Sequence, residues 1–353
     1  MKKAEFWLAR PTHYWMIEQP FDATFSYGKT YEDAGLDGLM LFDTQNLSPE
    51  VYVSLTAVAK ETSTLQLGTG VTNPRTRHAA VTASAMATLN AVSNGRAFLG
   101  IGRGDSALAH IGYVPSPVAE FEQYVQHLSA YLRGDEVSFP TDSNIDTLQL
   151  GDHPKTSRLT WIDHKQSVPI GIAATGPKVI EIAATMADRV DLQLGANAER
   201  LKWGLQIARE ARQRAGLGPV TASAYINMVV DDDSEKAWKL AAGAITSQSR
   251  FSAMHGKIIG PTSANAADTL SKIHSAYDMK QHGRHDPGLI TSEFAHQFGI
   301  YGPPGYCIDR LNELVELGID RFILAGAPDL EHPEAEVVQL AQRFVNDVLP
   351  KFN

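Results

Sequence analysis

Residues 65–106 constrain the fold more than any other stretch of the chain. They read LQLGTGVTNP, then RTRHAAVTASAMATLNAVSNG, then RAFLGIGRGDS. Both apolar runs are too short for helices, and each ends in small and polar residues, a pattern that predicts strands. Between them Ala80, Val81, Ala83, Ala87, Leu89 and Val92 make an apolar set compatible with one helix face. Asn94-Gly95 supplies the helix stop. Two strands joined by a crossover helix form a parallel pair, and ligands of such units gather at the C-terminal ends of the strands. Residues 70–73 and 102–106 would lie there.

The same alternation runs through the rest of the chain. Further strands are expected at 5–9, 38–42, 169–173, 190–194, 221–230 and 322–325. Helices are expected at 27–34, 49–62, 121–133, 177–187, 198–215, 234–244, 307–317 and 335–348. Eight strands alternating with helices predict an α/β fold, a (β/α)8 TIM barrel, in preference to a doubly wound open sheet. At 353 residues, 43% of them hydrophobic, the chain suits one such domain spanning 1–353. The polar stretch 134–167 reads as an irregular excursion or a short hairpin. Residues 245–300 show helical pieces and the run KQHGRHDPG but no clear strand, and read as an insertion. It is either a lid reaching the substrate through His282, Arg284 and His285, or a surface excursion or subunit contact.

Charge narrows the function. A net charge of −9 without any basic run speaks against nucleic acid. The single cysteine, Cys307, excludes an intramolecular disulfide and a multi-cysteine metal site. His282 and His285 lack further placed ligands, and Asp231, Asp232 and Asp233 read as a solvated turn, so no metal is expected. No signal-length apolar segment opens the chain, and no window reaches the roughly 18–20 apolar residues of a membrane span. The expectation is a soluble cytoplasmic protein with no membrane contact.

In a barrel the residues directly after strands carry the chemistry. The candidates are His13, Tyr14 and Trp15, then Asp43, Gln45 and Asn46. Thr72, Asn73, Arg75, Arg77 and His78 follow, and then Arg103, Asp105 and Ser106. The segment GIGRGDS lacks the G-x-G-x-x-G spacing of a dinucleotide fingerprint and equally reads as a tight strand exit. In AATGPK, a polar turn enters a helix at a proline. Its unpaired amides, the helix dipole and Lys178 suit a phosphate; an ordinary cap at Thr175 is the alternative. His78 stands where it would either act or cap a helix.

Three stretches, GTGVTNPRTRHAAVTASAMATLNAVSNGRAFLGIGRGDSA (68–107), IAATGPKVIEIAATMADRVDLQLG (172–195) and FGIYGPPGYCIDRLNELVELGIDRFILAG (298–326), resemble the luciferase-like flavin and deazaflavin oxidoreductases. Within them the likeness is to the methylene-tetrahydromethanopterin-reductase-like branch. The resemblance implies a (β/α)8 barrel with an insertion before the last strand, holding reduced FMN or coenzyme F420 at its C-terminal face. It also implies a non-prolyl cis peptide at Gly70-Val71 backing the isoalloxazine ring. Thr72, Asn73, Gly104 and Asp105 would line that ring. Ala174, Thr175, Gly176, Pro177 and Lys178, with Gly195, Ala196 and Asn197, would hold phosphate and ribityl groups.

His13, Asp43, His78 and Asp105 are the candidates for proton handling or positioning. Arg75, Arg77, Arg103 and Lys178 are available for the phosphate and acidic tail of F420. The implied reaction is F420-dependent hydride transfer to or from a small organic substrate. FMNH2-dependent monooxygenation is the alternative, and a non-catalytic flavin-binding protein a third. Expected partners are a small-molecule substrate, a separate reductase supplying reduced cofactor, and a second copy in a homodimer. The aromatic first loop, RPTHYWMIEQPF, departs from the simpler loops of relatives, so no pterin substrate is carried over.

Overall fold

The computed structural model describes residues 4–11, 23–162, 167–281, 287–325, 329–330 and 334–353. Its frame is eight strands: β1 (Glu5–Arg10), β2 (Gly38–Leu41), β3 (Gln66–Thr69), β4 (Ala97–Ile101), β5 (Ile170–Ala174), β6 (Arg189–Leu192), β7 (Ala222–Val230) and β8 (Arg321–Ala325). Each pairs in parallel with the next, and β8 pairs with β1, so the sheet closes into the expected barrel. Trp7 sits opposite Gly38 on one side and Ile323 on the other.

Period-2 alternation sorts the strand residues into two cores. Phe6 and Leu8, Leu99 and Ile101, and Phe322 and Leu324 face the surrounding helices. Trp7, Met40, Phe98, Tyr225 and Ile323 fill the barrel interior. Glycines make room for these large groups. A Cβ on Gly38 would stand 2.3 Å from the Trp7 ring, and one on Gly171 would stand 2.3 Å from Asp191 Oδ2 and 2.5 Å from Phe98. The crossover helix Ala79–Val92 ends as read: Asn94 (φ 56°) and Gly95 (φ 87°) turn left-handed beyond it. The excursion after β4 contains a short antiparallel pair, Val137–Ser138 with Thr156–Ser157.

Two expectations need correction. The helix read at 234–244 is two helices, Ser234–Leu240 and Ala242–Ser249. The insertion, read without a strand, ends in one, Gly299–Gly302. β7 is nine residues long, and β8 covers only its first half, from Ser223 to Ile226. Gly299–Gly302 pairs with the remainder, from Asn227 to Val230, and satisfies backbone groups that the shorter neighbour leaves. Four residues that begin and end in glycine carry no alternation to announce this. The insertion packs with the end of β7 and the helix Ser234–Leu240 into a second apolar cluster, which includes Trp238, Ile245, Leu270, Ile273, Phe294 and Phe298. No helix among the described residues is long and apolar enough to cross a membrane.

Candidate active site

A cavity of about 600 Å³ opens at the C-terminal ends of the strands. Ala173, Tyr225 and Ala325 reach it from the barrel, and the exits of β2 to β5 form its walls. The exit of β3 is the most constrained of these. The Gly70-Val71 peptide is cis, as the resemblance implies, and Val71 lines the cavity. Gly70 N–H donates to Leu41 O at 2.7 Å, Thr72 N–H to Gly100 O at 3.0 Å, and Gly102 N–H to Thr72 O at 3.0 Å. Those bonds stitch the turn between β2 and β4. A Cβ on Gly70 would lie 2.7 Å from Met40 Cβ, so the backbone can pass there only as glycine.

Below this turn lies a charged network. Asp43, 2% exposed, accepts from Thr72 Oγ1 at 2.6 Å and from Arg77 Nη1 at 2.5 Å, both through Oδ2. Arg77 also reaches Glu50 at 2.7 Å and stacks over the Tyr52 ring at 4.9 Å. Asp43 lines the cavity with a carboxylate already engaged by two donors, an arrangement that fixes the β2 and β3 exits relative to each other. Asn73 is different. Its Oδ1 accepts from the backbone N–H groups of Arg75 and Thr76 at 3.0 and 3.1 Å, which assigns the other side-chain atom as Nδ2. That buried Nδ2 has no protein partner, and the residue lines the cavity. A buried donor in this position calls for an acceptor, either a water or an atom of a bound molecule.

After β4, Gly104 takes φ 92°, and Asp105 makes a two-point ion pair with Arg250 of the insertion. After β5, the helix Pro177–Met186 starts at Gly176 with no side chain capping it. Thr175, the sequence's alternative cap, instead donates to Gln193 O at 3.4 Å. The helix N-terminus therefore keeps anion-binding capacity beside Lys178, and Gly176 has open space where a Cβ would stand.

The remaining wall comes from the insertion: Ser247, Gln248, Phe251, Met254, His255, Lys257 and Ile259. Sequence reasoning missed this wall and looked instead to His282, Arg284 and His285, which lie outside the described residues. The run RFSAMHGKI at 250–258 does combine basic, aromatic and glycine residues, but nothing local says which way it faces. Two contacts fasten it. Arg250 holds Asp105, and Gln193 after β6 bonds Gln248. Arg200, 2% exposed, anchors the segment from below. It donates to Leu194 O, Ser252 Oγ, Pro261 O and Thr262 Oγ1 at 3.2, 2.8, 2.9 and 2.8 Å. Burial pulls the Arg200 pKa down to about 10. Tyr225, also unforeseen, has a hydroxyl without a protein partner; burial and then the Asp191 carboxylate raise its pKa, so it is a neutral donor.

Several expected site residues serve the scaffold instead. His78 is exposed and caps the helix Ala79–Val92, its Nδ1 accepting from Ala80 N–H at 3.2 Å; it does not line the cavity. Ala174 faces the helix-side core, and Ala173 lines the cavity in its place. Thr72 is buried beneath the lining, bonded to Asp43.

Gly195, Ala196 and Asn197 stay out of the cavity because the insertion sits on them. A Cβ on Gly195 would meet Phe298 backbone at 2.8 Å, Ala196 N–H donates to Gln297 O, and Asn197 caps the helix Ala198–Arg214. Of the four cations available for an acidic tail, Arg75 pairs with Glu120 and Arg77 with Asp43 and Glu50, leaving Arg103 and Lys178 in the cavity. Gln45 bonds Ala107 O at 2.8 Å. His13 lies outside the described residues. Among the described residues no group of three or more His, Cys, Asp or Glu is placed to hold a metal ion.

Residues 5–321 match the family described as luciferase-like monooxygenase. The chain is 32% identical over 328 residues to 5,10-methylenetetrahydromethanopterin reductase of Methanolobus tindarius, covering 90% of this chain and 94% of the relative. It is 26% identical over 345 residues to F420-dependent glucose-6-phosphate dehydrogenase of Amycolatopsis mediterranei, with 92% of each covered. Among solved structures, the coenzyme F420-dependent tetrahydromethanopterin reductase of Methanopyrus kandleri superposes with a TM-score of 0.76 at 21% identity over 99% of both chains.

Proposed function

The chain belongs to the luciferase-like monooxygenase family of oxidoreductases, and on that premise we propose that it is an F420-dependent enzyme exchanging a hydride with a small organic substrate. The observation that carries the choice of F420 over FMN is the set of cations kept in the cavity. Arg103, Lys178 and Lys257 line it, and none of them has an ion-pair partner among the described residues. FMN carries one phosphate; F420 carries a phosphodiester and carboxylates, and so matches more positive charge. The relatives whose names specify F420 support the same choice.

The residues present fit such a molecule. The unpartnered Asn73 Nδ2 would donate to its ring system, and Val71 with the bare backbone at Gly102 and Gly104 would let it approach closely. The open helix N-terminus at Gly176 and Lys178 would hold its phosphate. When bound, the reduced deazaflavin supplies the hydride, which is the cofactor's chemistry rather than the protein's.

The chain's own part is placement and exclusion. Phe42, Phe251, Met254 and Ile259 make an apolar surround that keeps water from the reacting atoms and suits an organic substrate. Asp43 holds the β3 exit through Thr72, and Tyr225 offers a neutral hydroxyl to whatever lies on the barrel axis. A separate reductase regenerates the reduced cofactor. The working unit is read as a cytoplasmic homodimer on the family resemblance alone.

The test is a paired titration of the purified protein with F420 and FMN, each oxidised and reduced, followed by cofactor fluorescence. Binding of F420 at least about tenfold tighter than FMN is the expected result. Preference for reduced FMN, with substrate-dependent oxygen uptake, would turn the reading to monooxygenation. Failure of a folded sample to bind either removes the cofactor assignment.

A further inference from the structure

The phosphate corner at Gly176 and Lys178 is not the cavity's whole positive charge. Arg103 comes from the β4 exit, and His255 and Lys257 come from a loop of the insertion; all three line the same cavity. The loop is built to hold its tip in place. At its base Ile259 N–H donates to Ser252 O at 2.8 Å, and Arg200 grips Ser252, Pro261 and Thr262. At its tip Gly256 turns left-handed at φ 72°, between His255 and Lys257. Arg103 spends its Nε on Ser116 O at 2.6 Å, which aims the rest of the guanidinium. The carboxylate that could have neutralised this group, Asp105, is taken by Arg250.

We infer that Arg103, His255 and Lys257 form an anion subsite at the cavity rim, which takes a carboxylate or phosphate group and draws a proton onto His255 as it fills. The groups facing His255 explain the proton. Burial, the Arg103 guanidinium and the His274 imidazole on helix Ala264–Ala276 all lower its pKa, and only Asp105 opposes them. With Asp105 committed to Arg250, the empty subsite favours neutral imidazole. An anion beside Arg103 and Lys257 reverses the balance and favours imidazolium. By linkage the anion then binds more tightly as pH falls through the histidine range.

Two sources carry such a group: the anionic tail of the cofactor, which rests on the F420 reading above, or an anionic substrate. The experiment follows the His255 ring signal by NMR, assigned by its loss in His255→Gln, across a pH titration. It compares the protein alone, with F420, with the deazaflavin riboside lacking phosphate and carboxylates, and with inorganic phosphate added to both the unloaded and the F420-loaded protein. A His255 pKa raised by F420 but not by the riboside assigns the subsite to the cofactor tail. A rise produced only by inorganic phosphate, with F420 loaded or absent, assigns it to a substrate anion.

A pKa unmoved by every one of these ligands overturns the subsite. Cofactor fluorescence in the same samples separates that result from failure of the F420 reading, since phosphate tests the unloaded protein directly. Lys257→Gln is the companion variant. It lies on an exposed loop tip and is expected to weaken the anion roughly threefold while leaving riboside binding unchanged.

Discussion

Arg250 and Asp105 face each other across the cavity rim as a two-point ion pair, Nη1 to Oδ1 at 3.1 Å and Nη2 to Oδ2 closer still. The pair joins the insertion to the β4 exit beside Gly104, and the Arg250 guanidinium lies over the Phe251 and Tyr277 rings at 4.9 and 4.3 Å. A carboxylate held at two points in this way clamps the two elements together.

Arg250→Ala should therefore destabilise the fold by about 2–3 kcal/mol, because it leaves Asp105 partly buried without its partner. Urea unfolding measures the loss. Asp105→Asn should weaken cofactor binding more than it slows turnover at saturation. A normal cofactor affinity with abolished turnover would return Asp105 to proton handling.

Arg200 ties the insertion down without any carboxylate, through carbonyls and hydroxyls alone. Arg200→Met should cost about 2–4 kcal/mol through orphaned buried acceptors. It should also open 252–262 to limited proteolysis at a rate that cofactor slows. Unchanged cleavage would mean that the segment is held elsewhere.

Two glycines separate folding from binding. A Cβ on Gly100 would stand 2.1 Å from Thr69 O, a backbone atom, so Gly100→Ala should lose more than about 3 kcal/mol or fail to fold. A Cβ on Gly176 meets nothing within 4 Å. Gly176→Ala should change stability by less than about 0.5 kcal/mol yet weaken a phosphate-bearing cofactor, because the methyl enters the space before the helix. Thermal unfolding and cofactor titration read the two effects.

Glu32 contributes to acid stability. Glu32 Oε1 accepts from the backbone N–H groups of Ser63, Thr64 and Leu65 and from the Thr64 hydroxyl. Burial raises its pKa, but these donors outweigh it and hold the carboxyl down to about 2 from an ordinary 4.5. A depressed carboxylate stabilises the fold above its unfolded value and loses that contribution as pH falls towards the folded one. Glu32→Gln should thus be less stable than the parent near neutral pH. The difference should shrink steadily between about pH 5 and pH 2 in parallel denaturant melts. A gap independent of pH would show that packing, not charge, is at stake.

What the chain's own order of residues determined is what is local or periodic. Short apolar runs, a helix stop at Asn94-Gly95 and a proline entering a helix at Pro177 announce themselves within a few neighbours. Alternation of strand and helix then leaves few closed arrangements, and strand direction dictates which loops share a face. That reasoning placed Val71, Asn73, Gly104, Asp105 and Lys178 around one cavity.

Tertiary structure decided the rest, because pairings between distant residues leave no local trace. Asp105 meets Arg250 across 145 positions, a contact that no local pattern announces. Gly299–Gly302 is a strand because β7 outruns β8, and 195–197 lie outside the cavity because the insertion covers them. Which of four basic side chains remained available depended on which found carboxylates, and those partners came from other elements.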